Sequence, residues 1–236
     1  MRVIASTVTA ALFASTAAAH GAVNSYVIDG KDYPGYEGYN PAGSPDTIQR
    51  QWPDYNPIMD VTDSLMTCNG GTSAALSAEV PAGGEVTAVW DQWTHAQGPV
   101  MVWMYKCEGD FGACDGLGAN WFKIDQMGLN SPPMSGEDWG NGKVMQDLAW
   151  TSTIPEKLAP GNYLIRHELL ALHQAHTPQF YPECAQIVVT GSGTESPGAE
   201  FLTAIPAYAT QDDPGVDVDV NSGATEYVCP GPEVWS

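Results

Sequence analysis

The chain alternates between short apolar runs and long segments rich in turn residues. The runs contain β-branched and aromatic side chains and are bounded by Gly, Pro, Asn or Asp, which is the pattern of β-strands. Strands are predicted over residues 22–27, 85–90, 99–105, 162–172, 185–190 and 216–220. We therefore expect an all-β protein, an immunoglobulin-like or fibronectin-like antiparallel β-sandwich with long loops.

Two long stretches without clear periodicity interrupt these strands, at residues 30–66 and 107–145. Loops of such length inside a compact domain usually carry function. Both stretches are rich in Tyr, Trp, Asn and Gly, a composition that suits a surface in contact with sugar rings. The alternative is that these aromatic side chains pack the loops onto the sandwich. No repeat or long linker divides residues 20–236, so we expect one domain there.

Residues 1–19 have the features of a secretory signal peptide. Arg2 is followed by an Ala-rich apolar stretch that ends in the small residues Ala17, Ala18 and Ala19, and the stretch is shorter than the roughly 20 strongly apolar residues of a membrane-spanning helix. We predict cleavage after Ala19 and secretion of the protein. His20 then becomes the first residue of the mature chain.

The chain is strongly acidic, with 28 Asp and Glu against 8 Lys and Arg and a net charge of −20. Loss of Arg2 with the signal peptide makes the mature chain one unit more negative. Such a field repels phosphate backbones and anionic membranes, so we expect neither nucleic acid nor a membrane as partner. An uncharged polymer remains a compatible partner, although acidity also serves solubility alone.

The histidines allow a metal hypothesis to be examined completely, because there are only five. A histidine at a free amino terminus supplies two nitrogen ligands, its α-amine and its ring Nδ1. His95, at the end of a predicted strand, can add a third nitrogen. Because a nitrogen-rich tetragonal arrangement favours copper over magnesium or calcium, we predict a copper site at His20 and His95.

The segment 179–184 supplies a further candidate for this site. A strand period of two places Gln179 and Tyr181 on one face and Phe180 on the other. Copper(II) accepts a weak axial ligand, so the phenol oxygen of Tyr181 is a candidate for that position. The alternative is that Tyr181 only packs in the core.

Several motifs of the chain occur together in one known family. They are His20-Gly21, the segment from His95 to Gly98-Pro99-Val100, Arg166-His167-Glu168-Leu169-Leu170-Ala171-Leu172-His173, Gln179-Phe180-Tyr181-Pro182-Glu183-Cys184, residues 189–194 and Pro230-Gly231-Pro232. In combination they resemble the fungal cellulose-active lytic polysaccharide monooxygenases over essentially all of residues 20–236. The resemblance implies a copper enzyme that abstracts hydrogen beside a glycosidic bond of cellulose or a related β-glucan. It also implies O2 or H2O2 as oxidant and an external electron donor.

The resemblance assigns roles by position. It implies copper held by His20 and His95, with Tyr181 as the axial ligand, and His173 and Gln179 beside the oxygen species, which they position and protonate.

Two further histidines are assigned differently. His176 is the alternative to His173, because it lies nearer to Gln179 in the sequence. Strand parity groups His167 with Ile165 and Leu169, so we expect it in the core or in a structural hydrogen bond.

Five cysteines stand at positions 68, 107, 114, 184 and 229, and in an oxidising compartment most should pair. Spacing alone leaves their connectivity open, although Cys107 and Cys114 lie close enough to close a local loop. The resemblance implies bridges Cys68–Cys184 and Cys107–Cys114, which leave Cys229 unpaired.

The resemblance also places Tyr208 on a flat face where its ring stacks on glucose. We expect a monomer without an appended carbohydrate-binding module. Two other functions are kept as alternatives: a hydrolytic endo-β-1,4-glucanase, which needs a carboxylate pair that the spacing does not single out, and a non-catalytic secreted module that binds copper or polysaccharide.

Overall fold

The computed structural model describes residues 20–236, and the predicted signal peptide lies outside this range. Within the range no helix is long and apolar enough to cross a bilayer. The strands and the α-helix, in chain order, are β1 (Val23–Ile28), β2 (Lys31–Pro34), β3 (Ala78–Pro81), β4 (Glu85–Trp90), β5 (Val100–Lys106), β6 (Trp121–Met127), α1 (Gly140–Asp147), β7 (Ala149–Thr153), β8 (Gly161–Ala171) and β9 (Gln179–Thr190).

The strands form two sheets that pack face to face. The first has the order β2-β1-β4-β7 and the second has the order β3-β9-β8-β5-β6. Neighbouring strands are antiparallel, except that β3 runs parallel to β9. Apolar side chains from both sheets, such as Val86, Val102 and Ile165, form the core between them. The prediction of an all-β sandwich is confirmed, with the parallel β3–β9 pair as the exception to its antiparallel pattern.

The outer face of the five-stranded sheet is buried as well. Trp103, Leu164 and Phe180 pack there against the long loops and against the C-terminal segment that contains Ile205 and Val216. Because both faces are covered, β5 is apolar at nearly every position instead of alternating. These packed loops bring distant parts of the chain to the sheet.

The predicted strands agree in most places with the structure. The strand at 85–90 has the predicted bounds, those at 22–27, 99–105 and 162–172 are shifted by one residue, and 185–190 is the second half of β9. Four strands and the helix were not predicted: β2, β3, β6, β7 and α1. Among these, β2 and β6 lie inside the two stretches that we expected to be irregular.

The predicted strand at 216–220 is wrong. Val216, Val218 and Val220 are all buried, which accounts for the alternating pattern. The backbone, however, forms turns: the N–H groups of Val216 and Asp217 both donate to the carbonyl oxygen of Asp213 at 2.8 Å, and the Val218 carbonyl accepts from the His176 N–H at 2.9 Å. Because these bonds satisfy the backbone without a neighbouring strand, apolar alternation occurs here outside a sheet.

The structure contains two disulfides. Cys68–Cys184 ties the loop before β3 to β9, and Cys107–Cys114 closes a short loop after β5. Cys229 is the free cysteine of the described residues, and its side chain is half-buried. The pairing is the one that the family resemblance implies.

Candidate metal centre

Four side chains meet at one end of the sandwich, although they lie far apart in the sequence. His20 precedes β1, His95 follows β4, His173 follows β8 and Tyr181 lies near the start of β9. The ring centroid of His20 is 5.4 Å from that of His95 and 5.6 Å from that of Tyr181. The antiparallel order of the strands brings these positions together.

The rings of His95 and His173 are stacked, with centroids 4.0 Å apart and planes at 2°. The Nε2 atom of His95 and the Nδ1 atom of His173 are buried without a hydrogen-bond partner. An unpartnered buried nitrogen is unfavourable in an apolar site. Nε2 of His95 is therefore free to donate its lone pair to a metal ion, and imidazole nitrogens suit copper.

Residues 20–236 contain no group of three or more His, Cys, Asp or Glu side chains placed to hold a metal ion. The rings of His20 and His95 are two nitrogen donors, and the predicted cleavage before His20 would add its α-amine as a third. A donor set of three nitrogens suits copper.

The electrostatic environment keeps these imidazoles neutral. Burial, together with the neighbouring rings of His173 and His20, lowers the pKa of His95 to about 4. Burial also lowers the pKa of His20, and burial together with His20 lowers that of His173. Neutral rings at neutral pH have lone pairs available for a metal.

Tyr181 and Gln179 point to the same side of β9, as the strand period predicts. The Tyr181 hydroxyl donates to Oε1 of Gln179 at 2.9 Å, and both side chains are buried. The ring of Trp93 packs edge-on against Tyr181, with centroids 4.9 Å apart. Burial raises the pKa of the Tyr181 phenol, so the hydroxyl keeps its proton at neutral pH.

Two residues that the sequence did not single out hold the histidines. Nε2 of Gln92 donates to the His20 carbonyl oxygen, and Nε1 of Trp93 donates to the His95 carbonyl oxygen at 2.8 Å. Gly21 lies so close to Gln92 that a β-carbon at position 21 would be 1.7 Å from the Gln92 carbonyl oxygen. Gln92 and Trp93 lie three and two residues before His95, and this proximity was the signal available for finding them.

The structure separates the remaining histidines from the site. The His176 side chain is exposed, and its Nδ1 pairs with Oδ1 of Asp217 at 2.7 Å. His173, and not His176, therefore stacks on His95. His167 is fully buried between Tyr26 and Trp90, with no hydrogen-bond partner for either ring nitrogen, and burial lowers its pKa to about 3. It belongs to the core.

The expected role of Tyr208 as a sugar-stacking residue is wrong. Tyr208 is 6% exposed, its hydroxyl donates to Oε1 of Glu168 at 2.7 Å, and its ring packs on Trp103. Glu168 is itself fully buried and also pairs with Arg166. Because a buried carboxylate requires such donors, the Tyr208 ring is held inside the protein and offers no surface for stacking.

The aromatic residues of the 30–66 loop differ in exposure, and only some of them pack onto the sandwich. Trp52 is buried. Tyr39 is 61% exposed and stacks on Tyr55, with ring centroids 5.5 Å apart. The Tyr55 hydroxyl donates to Oδ2 of Asp91 at 2.7 Å, and Asp91 directly precedes the Gln92 that contacts His20. An exposed aromatic ring thus lies on the loop that joins the histidine site.

The fold and this set of side chains are those of a lytic polysaccharide monooxygenase. The family described as "Auxiliary Activity family 9 (formerly GH61)" matches residues 20–227. The chain belongs to this family, and the family that its motifs resemble is confirmed.

Individual proteins of the family are similar along most of their length. The AA9 family lytic polysaccharide monooxygenase D of Thermothelomyces thermophilus is 56% identical, covering 95% of this chain and 92% of that protein. Monooxygenase B of Heterobasidion irregulare is 47% identical, covering 95% of each chain. The crystal structure of a cellulose-active polysaccharide monooxygenase from M. thermophila superimposes with a TM-score of 0.88 at 55% identity, covering 92% of this chain and 99% of that one.

Proposed function

We propose that the mature chain binds one copper ion through the amine and ring of His20 together with His95, and cleaves cellulose or a related β-1,4-glucan oxidatively. The observation that carries this proposal is the buried, unpartnered Nε2 of His95 with its ring 5.4 Å from that of His20. Membership of family 9 and the cellulose-active relative from M. thermophila support it.

The chain's own residues hold and tune the ion. Signal cleavage frees the His20 amine, whose usual pKa of about 7.7–8.0 makes deprotonation easy. The Tyr181 ring lies 5.6 Å from the His20 ring by centroids, so its phenol oxygen would lie beside a bound ion, and the bond to Gln179 orients that hydroxyl. His173, neutral and stacked on His95, exchanges a proton at a ring nitrogen during the reaction.

Bound copper, reduced by an external donor, supplies the redox chemistry with O2 or H2O2 that removes a hydrogen beside the glycosidic oxygen. Hydroxylation at that carbon makes the bond break. The half-buried histidines lie at the protein surface, so a polymer chain can be attacked without entering a deep cleft. Tyr39 lies on the same loop as Tyr55, and its ring, which is 61% exposed, can stack on a sugar.

The remaining features of the proposal concern the whole protein. In this proposal residues 20–236 act as one secreted catalytic domain and as a monomer. The half-buried side chain of the free Cys229 is less accessible to a second chain than an exposed thiol. Electrons come from a small reductant or a redox protein outside the chain.

The experiment is to incubate the processed protein with amorphous cellulose, with and without copper and ascorbate, and to analyse products by mass spectrometry. Oxidised oligosaccharides are expected only when both copper and ascorbate are present, and a His95→Ala variant should release none. Unoxidised sugars without copper would indicate a hydrolase. Copper binding without oxidised products or reductant-dependent peroxide would indicate a non-catalytic binding module.

A further inference from the structure

The first three residues of the predicted mature chain lie outside any strand. β1 begins at Val23, so His20, Gly21 and Ala22 form a short arm that has to carry the amino-terminal ligand to its place. The pairing of β1 with β4 shifts register between Val23 and Ser25. A regular ladder therefore does not extend through the base of the arm, and another set of contacts must fix it.

Both polar groups of the Val23 backbone are bound by buried side chains. The Val23 N–H donates to Oε2 of Glu183 at 2.8 Å. The Val23 carbonyl oxygen accepts from Nε2 of Gln49 at 2.9 Å. Val23, Gln49 and Glu183 are all less than 5% exposed, so neither bond competes with solvent.

The two side chains come from segments that meet at β9. Gln49 bridges to Ala185 of β9, and its Oε1 accepts the Tyr36 N–H at 2.6 Å. Glu183 lies on β9 two residues after Tyr181, so the strand period places both side chains on the same face. β9 thus supplies both Tyr181, beside the histidines, and Glu183, which binds the Val23 N–H at the base of the arm.

We propose that Glu183 and Gln49 are positioning residues for the amino-terminal copper ligand, because together they bind the backbone N–H and the carbonyl oxygen of Val23. We call this pair of hydrogen bonds the clamp. This inference rests on the proposed copper site. Ordering a free backbone costs entropy at every residue, and a loose arm would lose that entropy when the ion binds. The clamp orders the arm during folding, so the amine and ring of His20 are in place beforehand.

The test compares variants of the processed protein, which begins at His20. Glu183→Leu removes the acceptor at similar volume, whereas Glu183→Gln retains a carbonyl oxygen for the Val23 N–H. Copper(II) affinity is measured by calorimetry, and the copper environment by electron paramagnetic resonance. We expect Glu183→Leu to weaken copper binding by about tenfold or more and to alter the spectrum, and Glu183→Gln to recover most of both.

A matched control is available on the same strand. Gln186 is also buried, and it holds a different loop by bonds to Ala74 and Leu76. Gln186→Leu should lower the melting temperature without changing copper affinity or the spectrum. If Glu183→Leu does not fold, Gln49→Met is tested instead. This variant removes the hydrogen bond to the Val23 carbonyl oxygen, and the same weakening of copper binding is expected.

The outcomes distinguish the positioning role of Glu183 and Gln49 from the proposed copper site itself. If wild-type protein binds copper and Glu183→Leu or Gln49→Met binds it equally well with an unchanged spectrum, the clamp is overturned and the proposed function stands. If wild-type protein beginning at His20 fails to bind copper, the proposed function falls and the inference falls with it. Equal weakening by Gln186→Leu would also overturn the clamp, because the effect would then follow from general destabilisation.

Discussion

The imidazole rings of His95 and His173 lie parallel, 4.0 Å apart by centroids, yet the two residues follow different strands in different sheets. The stacking restricts the direction of the His95 ring and places a second neutral imidazole against a proposed ligand. In the proposed reaction His173 therefore acts from beside a ligand, and its own role is open to a direct test.

The first prediction concerns His173. His173→Ala should lower the yield of oxidised products by about 100-fold or more, because a positioned proton donor is lost, whereas copper stays bound by His20 and His95. Product analysis and calorimetry measure the two effects separately. His176→Ala is the control, since that exposed side chain pairs with Asp217 and should leave both unchanged. Loss of copper from His173→Ala would make His173 a ligand.

A second prediction concerns the amino terminus. A single Gly added before His20 converts the amine to an amide and removes one nitrogen ligand while the ring remains. Copper affinity should fall steeply, and oxidised products should disappear, with the melting temperature of the copper-free protein nearly unchanged. The matched control carries the same Gly after Ser236, at the exposed carboxyl end. Full activity of the extended protein would rule out a role for the amine.

The third prediction compares the two disulfides. Cys68–Cys184 spans 116 residues and Cys107–Cys114 spans 7. Loop-closure entropy predicts a loss of about 4–5 kcal/mol of unfolding free energy when both cysteines of the long bridge become Ser, against about 2–3 kcal/mol for the short one. Denaturant titration measures the difference. Equal losses would mean that local packing, and not chain entropy, governs the contribution of these bridges.

A fourth prediction follows from His167, whose pKa burial lowers to about 3. The folded protein keeps this ring neutral while the unfolded chain takes up a proton below its usual pKa of about 6.5. Stability from this residue is therefore present above about pH 6.5 and falls as the pH drops toward 3, by up to about 1.4 kcal/mol per pH unit. His167→Phe should flatten the acid limb of unfolding free energy relative to wild type. Parallel limbs would contradict the assignment.

The fifth prediction tests the interior placement of Tyr208. Tyr208→Phe leaves the buried Glu168 without one donor, so unfolding free energy should fall by about 1–3 kcal/mol while binding to cellulose is unchanged. Tyr39→Ala should weaken binding to cellulose and leave the unfolding free energy nearly unchanged, because that ring is exposed. Pull-down on amorphous cellulose and thermal unfolding distinguish the two residues. Because Tyr208→Phe keeps the ring, Tyr208→Leu completes the test, and weaker cellulose binding by a folded Tyr208→Leu variant would restore the expected surface role.

Much of the architecture follows from sequence patterns, and the failures have physical causes. Strand parity correctly placed Gln179 beside Tyr181 and His167 in the core, because a strand period has only two faces. The prediction for 216–220 failed because its valines pack onto the outer face of the five-stranded sheet without the segment pairing with a strand. Gln92 and Glu183 were missed because their hydrogen bonds join residues that are distant in sequence, and local periodicity does not contain such contacts.

Gly21 has a practical consequence for efforts to improve this protein. Any side chain at this position would push against the Gln92 backbone, one residue before Trp93 and three before His95. A randomised library that includes position 21 would thus disturb both histidines at once, because Gly21 follows His20 and the Gln92 backbone that it contacts leads to His95. The exposed Tyr39 meets the segment before His95 through the side chains of Tyr55 and Asp91, so diversification for new polymers is better begun at Tyr39.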